Sequence, residues 1–266
     1  MTENQRIGVG RTAEIYQYGV GQVVKLFRSG TPQSDVDREF ALSTFAASAG
    51  VPTPRPTGLV DQNGRKGIVF QQVSGPTMLA ALSKNPWSLS RQAKVLAHLH
   101  SQVHHHQAGP GLPRQVDILS NWIDKAPLLT DSEKERVLSY LGSLQPGEQL
   151  CHGDFHPDNI IIGDREWIID WLNGMSGNPA GDVARTVLLL SFGSLPEGTP
   201  SALRLALNTM RRRLCRKYIA AYPKPAQINF EPWLLPVAAA RLKENLPEQE
   251  KSMLLDFVRQ QLASHN

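Results

Sequence analysis

The pattern of apolar and polar positions changes near residue 74. Before this point, short apolar runs alternate with glycine- and proline-containing turns, which is typical of β-strands. Three runs in succession predict an antiparallel meander, and two later runs predict a hairpin that turns over Asp61–Lys66. The expected strands are Ile7–Gly10, Ala13–Tyr18, Val23–Phe27, Leu59–Val60 and Gly67–Val73.

One helix is expected between the meander and the hairpin. Ser34–Ala49 places apolar residues such as Val36 and Phe40 at helical spacing, and Ser34 is the expected N-cap. The following Val51–Pro56 contains three prolines, which push the residues before them into extended conformations. This segment is therefore predicted to be non-helical.

After Ser74-Gly75-Pro76 the apolar period becomes helical. One short hairpin, Ile160–Ile162 with Trp167–Ile169, interrupts the helices. The expected helices are Met78–Ser83, Ser90–His105, Val116–Lys125, Asp131–Leu144, Asp182–Ser191, Ser201–Tyr222, Pro232–Glu244 and Glu248–Ala263. The sequence thus predicts an α+β protein with two lobes. Residues 1–73 form an antiparallel five-stranded sheet with one helix, and residues 74–266 form a larger helical lobe.

Composition and charge narrow the class of protein. Hydrophobic residues make up 41% and charged residues 20%, which excludes disordered and fibrous classes. The net charge of +4 is too small to predict a nucleic-acid partner. Two cysteines, Cys151 and Cys215, exclude a disulfide framework and a multi-cysteine zinc site. With no apolar leader and no stretch long enough to span a membrane, we expect a cytoplasmic protein without a membrane partner.

The segment HGDFHPDNIIIGDREWIIDW, residues 152–171, carries the most informative chemistry. Asp154 is followed by Asn159 after four intervening residues, and Asp170 ends an apolar strand. Phosphoryl transfer needs one carboxylate to receive the acceptor hydroxyl and further oxygen ligands to hold Mg²⁺. The Asp-x₄-Asn spacing matches the catalytic loop of kinases. The segment therefore predicts a magnesium-dependent kinase.

The strings HGDFHPDN and IIDW resemble the aminoglycoside phosphotransferase and choline kinase family, which shares the protein-kinase fold. The resemblance implies that Asp154 is the catalytic base, that Asn159 and Asp170 bind Mg²⁺, and that ATP or GTP is the phosphate donor. It continues into residues 177–190, where Asn178 replaces an aspartate usual in the family and Asp182 keeps the second one. We expect Asp182 to cap the following helix.

The same resemblance assigns nucleotide-binding roles to the first lobe. Gly8, Gly10 and Arg11 lie in the expected nucleotide-covering loop, where glycines let backbone amides approach phosphates. The connector residues Gln72 and Val73 would meet the adenine through backbone groups.

Lys25 lies within the apolar strand VVKLF, where the kinase fold places a phosphate-contacting lysine. Glu39, 14 residues on, would hold it in place. Two alternatives stay open. Lys25 could lie in an edge strand with its charge in solvent, and Glu14 is a rival partner to Glu39.

The acceptor is expected to be a small molecule. Only 11 residues separate Asp170 from Asp182, which leaves no room for the activation segment that forms a peptide groove. From residue 172 onward twelve basic residues outnumber seven acidic ones, which argues against a polycationic acceptor. A choline-type acceptor would need an aromatic cage, for which Trp122, Trp171 and Trp233 are the candidates. A neutral or anionic metabolite remains open.

Two further clusters of residues, one basic and one of histidines, are expected to have structural roles. Arg211–Lys217 is read as a solvated helix face, with an anion-binding site as the alternative. His100 and His104, one helical turn apart, are expected to pack or hydrogen-bond within the helical lobe, in preference to a metal site at His104–His106. The resemblance implies that the chain is an aminoglycoside-phosphotransferase-like small-molecule kinase. The alternatives are a choline, amino-alcohol or sugar kinase, and a nucleotide-binding protein without turnover.

Overall fold

The structure, a computed structural model, describes residues 5–10, 12–193, 200–223 and 228–264. Its contacts divide the chain into two compact units. The first unit comprises Met1–Ser83 and Pro157–Gly174, and the second comprises Lys84–His156 and Met175–Asn266. Both strands and helices are present, as the α+β prediction requires. The first unit holds the large sheet and the second holds most of the helices.

The sheet of the first unit has five antiparallel strands in the order β1-β2-β3-β5-β4. The third strand pairs with β2 on one side and with β5 on the other, so it lies in the middle of the sheet. This five-stranded antiparallel sheet confirms the predicted one. The strands are β1 (Arg6–Val9), β2 (Ala13–Gln17), β3 (Gln22–Phe27), β4 (Pro56–Gln62) and β5 (Arg65–Gln71).

The turn between β4 and β5 is tighter than expected. Asp61 pairs with Lys66 and Gln62 with Arg65, so only Asn63 and Gly64 form the loop. Their φ values of 53° and 77° are the left-handed values that a two-residue Asn-Gly hairpin turn requires. The expected six-residue turn over 61–66 is therefore wrong, because this dipeptide reverses the chain by itself.

The helix that packs on this sheet, α1, spans Gln33–Ser48. It begins one residue before the expected start, and Pro32 takes the N-cap position without a side-chain cap. Ser34 is therefore not the N-cap. Pro32 has φ −58° and ψ 139°, the non-helical backbone that is usual for a residue at the N-cap. The buried Val36 of α1 packs with Ile68 and other apolar sheet residues.

The segment 157–174 belongs to the first unit, although it is surrounded in sequence by helices of the second. Ile168 N–H donates to Pro52 O at 2.7 Å, and Ile162 N–H donates to Pro76 O at 2.9 Å. The first compact unit thus extends beyond the expected lobe 1–73. The additional elements of this unit are α2 (Met78–Lys84, which ends at the boundary), β7 (Ile160–Ile162), β8 (Glu166–Ile168) and two 3₁₀ helices (Pro157–Asn159 and Trp171–Asn173).

Two glycines allow the connector to approach this hairpin closely. A Cβ on Gly75, whose φ is +142°, would lie 2.1 Å from the carbonyl oxygen of Ile162. A Cβ on Gly163 would lie 2.3 Å from the carbonyl oxygen of Ser74. Both contacts are far inside van der Waals distance, so neither position tolerates a side chain without a backbone shift.

The second unit is mainly helical, with one small sheet. In that sheet β6 (Gln149–Cys151) pairs with β9 (Met175–Gly177). These three-residue strands were not predicted, because they are too short to show an alternating pattern. The helices are α3 (Leu89–His104), α4 (Gln115–Asp124), α5 (Asp131–Ser143), α6 (Pro179–Phe192), α7 (Ser201–Ala221), α8 (Glu231–Arg241) and α9 (Glu248–Ser264). Among the described helices, none is both long and apolar enough to cross a membrane.

Helix α6 begins three residues earlier than expected. Asn178 is its N-cap, with Oδ1 accepting a hydrogen bond from Ala180 N–H at 2.9 Å. Asp182 therefore does not cap the helix, contrary to the sequence expectation. It lies inside the first turns and is buried, with its carboxylate used elsewhere. The asparagine that departs from the family pattern thus takes over the capping role.

Candidate active site

The first unit contains a buried cation between two carboxylates, which we call the lysine cluster. Lys25 Nζ on β3 lies 2.6 Å from Glu39 Oε1 on α1 and 3.0 Å from Asp170 Oδ1. Lys25 and Glu39 are 9% and 1% exposed, so these charges interact with little screening. The structure thus brings together three residues that lie far apart in the sequence.

The geometry excludes both alternatives for Lys25. Its strand is in the middle of the sheet, so Lys25 is not an edge-strand residue. Glu14 is held by Arg65 at 2.8 Å and by Arg6 at 3.2 Å. Burial by itself would lower the pKa of Lys25, but the charges of Glu39 and Asp170 outweigh it and raise that pKa above its usual range. Lys25 is therefore a permanent cation at physiological pH.

The hairpin β7–β8 brings Asn159 next to the residue that precedes Asp170. Ile169 N–H donates to the backbone carbonyl of Asn159 at 3.0 Å. Asp170 itself has φ = +69°, a left-handed conformation that a non-glycine residue adopts at an energetic cost. Strain of this kind is concentrated at functional sites. An amide oxygen and a carboxylate are hard donors, so this pair fits the ligand chemistry of Mg²⁺.

The remaining predicted nucleotide residues lie elsewhere in the first unit. Gly8 is in β1, and Gly10 follows it, with its N–H donating to Ala13 O at 2.8 Å. Arg11 lies outside the described residues. After β5, Gln72 N–H donates to Gly21 O at 2.9 Å, and its side chain accepts a hydrogen bond from Gln17.

Val73 follows Gln72 in the connector, outside any helix or strand. The nucleotide-binding roles of these loop and connector residues stay predictions.

The second unit contains a matching group, which we call the arginine cluster. It consists of Asp154, Arg185 and Glu244. Arg185 Nη2 lies 3.3 Å from Asp154 Oδ1, and Arg185 Nη1 lies 2.6 Å from Glu244 Oε1. The other oxygen of Asp154 faces His156 Nε2 at 3.5 Å. Burial by itself would raise the pKa of Asp154, but His156 and Arg185 hold it well below its usual range.

The loop that carries Asp154 is tied to helix α6 by Asp182. The Asp182 carboxylate accepts hydrogen bonds from the backbone N–H groups of His152 at 2.6 Å and Gly153 at 2.9 Å. Within the loop, Asp154 N–H donates to His152 Nδ1 at 3.2 Å. A hydrogen bond from Thr186 Oγ1 to Phe155 O at 2.8 Å adds a second tie to α6. The backbone is therefore tied to α6 both before and after Asp154 in the sequence.

Two histidine–tyrosine pairs complete the surroundings of Asp182. Nε2 of His100 and of His104 lie 3.1 and 3.2 Å from Asp182 Oδ2. Their Nδ1 atoms face Tyr218 and Tyr222 hydroxyls at 2.7 and 2.6 Å. Burial lowers the pKa of His100 to about 3, so this ring is neutral at physiological pH. The network lets each ring donate to the carboxylate and accept from a tyrosine, which accounts for this cluster without a metal ion.

Sequence reasoning missed Arg185 and Glu244. Arg185 lies one helical turn after Asp182, so both side chains reach the Asp154 loop from the same side of α6. This i, i+3 spacing is the signal that could have identified it. Glu244 follows α8 and has no comparable local signal.

The basic run Arg211–Lys217 has a structural explanation in part. Arg211 donates to the carbonyl oxygens of Leu189, at 2.8 Å, and Gly193, which are at the C-terminal end of α6. The rest of the run follows helix α7, where Leu214 and Cys215 are buried and the other basic side chains are exposed. This agrees with the solvated-face interpretation.

An antiparallel five-stranded sheet with one helix, a helical unit, and an Asp-x₄-Asn loop that leads into a short hairpin define a protein-kinase-like fold. A family model described as the phosphotransferase enzyme family matches residues 3–226. The chain therefore belongs to this family, and the resemblance inferred from HGDFHPDN and IIDW is confirmed.

Curated relatives match part of the chain. Acyl-CoA dehydrogenase family member 11 of Gallus gallus is 30% identical over 172 residues, which cover 56% of this chain and 22% of that protein. Acyl-CoA dehydrogenase family member 10 of Mus musculus is 26% identical over 58% of this chain and 16% of its own length. Streptomycin 6-kinase of Streptomyces griseus is 23% identical over 44% of this chain and 40% of its own. The chain thus spans less than half the length of these relatives.

Solved structures share the fold along almost the whole chain. Aminoglycoside phosphotransferase APH(4)-Ia superposes with a TM-score of 0.67 at 13% identity, covering 100% of this chain and 94% of that one. The streptomycin–ATP complex of APH(2")-IIa superposes with a TM-score of 0.56 at 18% identity, covering 97% and 91%. At this identity the likeness shows the fold and confirms the predicted fold class.

Proposed function

We propose that the chain is a small-molecule kinase that transfers the γ-phosphate of ATP or GTP to a hydroxyl group. The observation that carries the proposal is the contact of the buried Lys25 with both Glu39 and Asp170. A lysine cation fixed by a glutamate, next to an aspartate in a strained backbone conformation, suits the binding of a metal–nucleotide. A structural ion pair would need neither the second carboxylate nor the strain.

Each residue of the first lobe is assigned one role in nucleotide binding. Lys25 contacts the α- and β-phosphates, and Glu39 keeps it in place. Gly8, Gly10 and Arg11 cover the phosphates, and the backbone of Gln72 and Val73 meets the base.

Asn159 and Asp170 would hold Mg²⁺, which would neutralise charge on the phosphates when bound. Asp182 keeps the backbone of the Asp154 loop rigid through its two N–H contacts.

Asp154 acts on the acceptor hydroxyl. The hydroxyl oxygen forms a bond to the γ-phosphorus as the bond from that phosphorus to the bridging oxygen breaks. The nucleoside diphosphate leaves, and the hydroxyl proton passes to Asp154. A carboxylate with a lowered pKa is a weak base, which fits a loose transition state in which the hydroxyl is oriented early and deprotonated late.

Two observations bear on the chemical class of the acceptor. Solved relatives are complexes with hygromycin B or streptomycin, and one curated relative is a streptomycin 6-kinase. The excess of basic residues after position 171 instead argues against a polycationic acceptor. These two observations point to different acceptors. On the likeness to aminoglycoside kinases alone, we propose a hydroxylated small molecule of the aminoglycoside type, with choline, amino alcohols and sugars as the alternative.

Transfer of labelled γ-phosphate tests the proposal. Mg-ATP or Mg-GTP is incubated with two acceptor pools, one of aminoglycosides and one of choline, amino alcohols and sugars. The Asp154→Asn variant, confirmed as folded, provides the blank. We expect label in one pool with the wild type and none with the variant. Nucleotide binding with no transfer to either pool or to water would instead make the chain a nucleotide-binding protein without turnover.

A further inference from the structure

Arg185 contacts Asp154, the residue proposed to act on the acceptor hydroxyl, and its guanidinium carbon lies 5.8 Å from the centre of the Trp122 ring. The residue is 9% exposed, and its two terminal nitrogens contact Asp154 and Glu244. Its Nε is buried and has no hydrogen-bond partner among the described residues. The buried guanidinium is therefore poorly placed to bind an acceptor directly. Its effect on the reaction would pass through the carboxylate of Asp154.

The two contacts of Arg185 differ in length in an informative way. The contact with Glu244 is 2.6 Å, and the contact with Asp154 is 3.3 Å. Charge-assisted hydrogen bonds are strong at about 2.7–2.9 Å, so Glu244 is the residue that holds the guanidinium. The planar fork then presents its second nitrogen to Asp154. Lysine has a single nitrogen and could not serve both carboxylates with the same geometry.

The two side chains that face the carboxylate oxygens of Asp154 favour one orientation of that carboxylate. Arg185 contacts Oδ1, and His156 faces Oδ2 at 3.5 Å. His152 lies in the same loop and accepts the Asp154 N–H. With each carboxylate oxygen facing a different group, rotation about the Cβ–Cγ bond would break one of these contacts. This is the condition for a preorganised catalytic group.

We propose that Arg185, anchored by Glu244, is a positioning residue that holds the Asp154 carboxylate in the orientation that receives the acceptor hydroxyl. The proposal rests on the proposed kinase function and extends it by two residues. The positive charge of Arg185 also keeps the pKa of Asp154 low, after burial has acted in the opposite direction. Loss of the charge should therefore raise that pKa.

The same unit offers a matched control. Arg241 and Glu250 form a second buried pair, with Nη2 and Oε1 2.6 Å apart. Arg241 and Glu250 are 1% and 4% exposed, so the pair has the same chemistry and similar burial. Arg241 also faces Glu244, with Nε and Oε2 3.6 Å apart, but Glu250→Gln does not alter the 2.6 Å contact between Glu244 Oε1 and Arg185 Nη1. Breaking the pair at Glu250 should lower stability, because Arg241 stays buried without its nearest carboxylate. It should leave the contact between Arg185 and Asp154 in place.

The test compares Arg185→Lys, Arg185→Gln and Glu244→Gln with the control Glu250→Gln. Each is assayed for thermal stability, nucleotide KM and kcat of phosphoryl transfer, at a temperature where it is folded. We expect kcat to fall by about 10²-fold in the Arg185 variants, since small misplacements of a catalytic group have costs of this size. In Glu244→Gln, kcat should fall by about 10-fold while the nucleotide KM stays unchanged. The control Glu250→Gln should keep the wild-type kcat.

A second readout, NMR titration, does not depend on turnover. The carboxyl carbon of Asp154 is titrated in the wild type and in Arg185→Gln. Because a positive charge is removed, the pKa of Asp154 should rise. In the kinetic assay, the acid limb of kcat should move to higher pH accordingly. Arg185→Lys should restore the low pKa but not the kcat, because it keeps the charge and loses the fork.

The outcomes separate the two proposals. If no wild-type transfer to any acceptor or to water is detected, the kinase function fails, and the positioning proposal fails with it. If the wild type transfers phosphate and Glu244→Gln and Glu250→Gln lower stability alike without a difference in kcat, only the positioning proposal is overturned. Should the Arg185 variants not fold, Glu244→Gln against Glu250→Gln decides.

Discussion

The lysine cluster and the arginine cluster have the same arrangement of charges but contain different cations. In each, one buried cation lies between a glutamate and an aspartate. In each, the glutamate is closer, at 2.6 Å, and the aspartate is farther, at 3.0 Å for Asp170 and 3.3 Å for Asp154. The glutamate fixes the cation, and the cation in turn reaches the aspartate assigned to the chemistry.

The difference between the cations follows from their tasks. Lysine is a compact point charge, so Lys25 can contact Glu39 and Asp170 and still serve phosphate oxygens from the same nitrogen. Arginine is a planar fork with two separate contacts, which suits Arg185 to hold one carboxylate in one orientation. If the proposed roles are correct, the type of cation distinguishes a cluster that binds a ligand from a cluster that positions a carboxylate.

Asp170→Asn should have the largest effect in the lysine cluster. The change removes a carboxylate from the proposed metal site and one partner from Lys25. We expect transfer to fall on the order of 10²- to 10³-fold, the cost of losing one group that stabilises transition-state charge. The Mg²⁺ concentration needed for half-maximal rate should rise, as a magnesium titration would show. An unchanged magnesium dependence would remove Asp170 from the metal site.

Lys25→Met should come next. It keeps a flexible apolar side chain of similar length and removes the charge, so Glu39 is left buried without its partner. We expect a loss of about 10²-fold in kcat/KM for the nucleotide, together with lower stability. The double variant Lys25→Met/Glu39→Gln should recover stability but not activity. Recovery of both would make the cluster purely structural.

Glu39→Gln should have a smaller effect, because the cation remains. The pKa of Lys25 is raised in part by the charge of Glu39, so the change should lower it. Asp170 still favours the protonated amine, and the variant should stay active at neutral pH. We expect a loss of about 10-fold in kcat/KM for the nucleotide, growing at alkaline pH as Lys25 deprotonates. A pH–rate profile without this alkaline decline would contradict the account.

Glu14→Gln should have the smallest effect. Glu14 contacts Arg65 and Arg6 on the sheet, and the lysine cluster does not use it. Transfer rates and nucleotide KM should match those of the wild type, and thermal stability should change little. This variant is the control for Glu39→Gln. A loss of activity equal to that of Glu39→Gln would restore Glu14 as the functional partner of Lys25.

Much of the lysine cluster could be predicted from the sequence. A lysine in an apolar strand is conspicuous, and the Asp-x₄-Asn spacing with a following hairpin is a local pattern. Glu39 lies on the same helix as apolar residues that face the sheet, so its direction follows from helical periodicity.

The arginine cluster could be predicted only in part. Asp154 is part of the local motif, but Arg185 and Glu244 follow from the packing of α6 and the turn after α8. Those contacts depend on tertiary structure, which no local pattern encodes. The prediction that Asp182 caps helix α6 was wrong for the same reason. A capping residue and a residue that binds the backbone of a distant loop look alike in the sequence.

The most direct test of the proposed kinase function compares Mg-nucleotide binding with phosphoryl transfer in Asp154→Asn. The dissociation constant for Mg-ATP is measured by calorimetry, and transfer is measured with labelled γ-phosphate on the same preparation. Because nucleotide binding is assigned to the lysine cluster and acceptor activation to Asp154, we expect a dissociation constant within about two-fold of wild type and a transfer rate lower by about 10²- to 10⁴-fold. Transfer near the wild-type rate would contradict the assignment of Asp154 and with it the division between the two clusters.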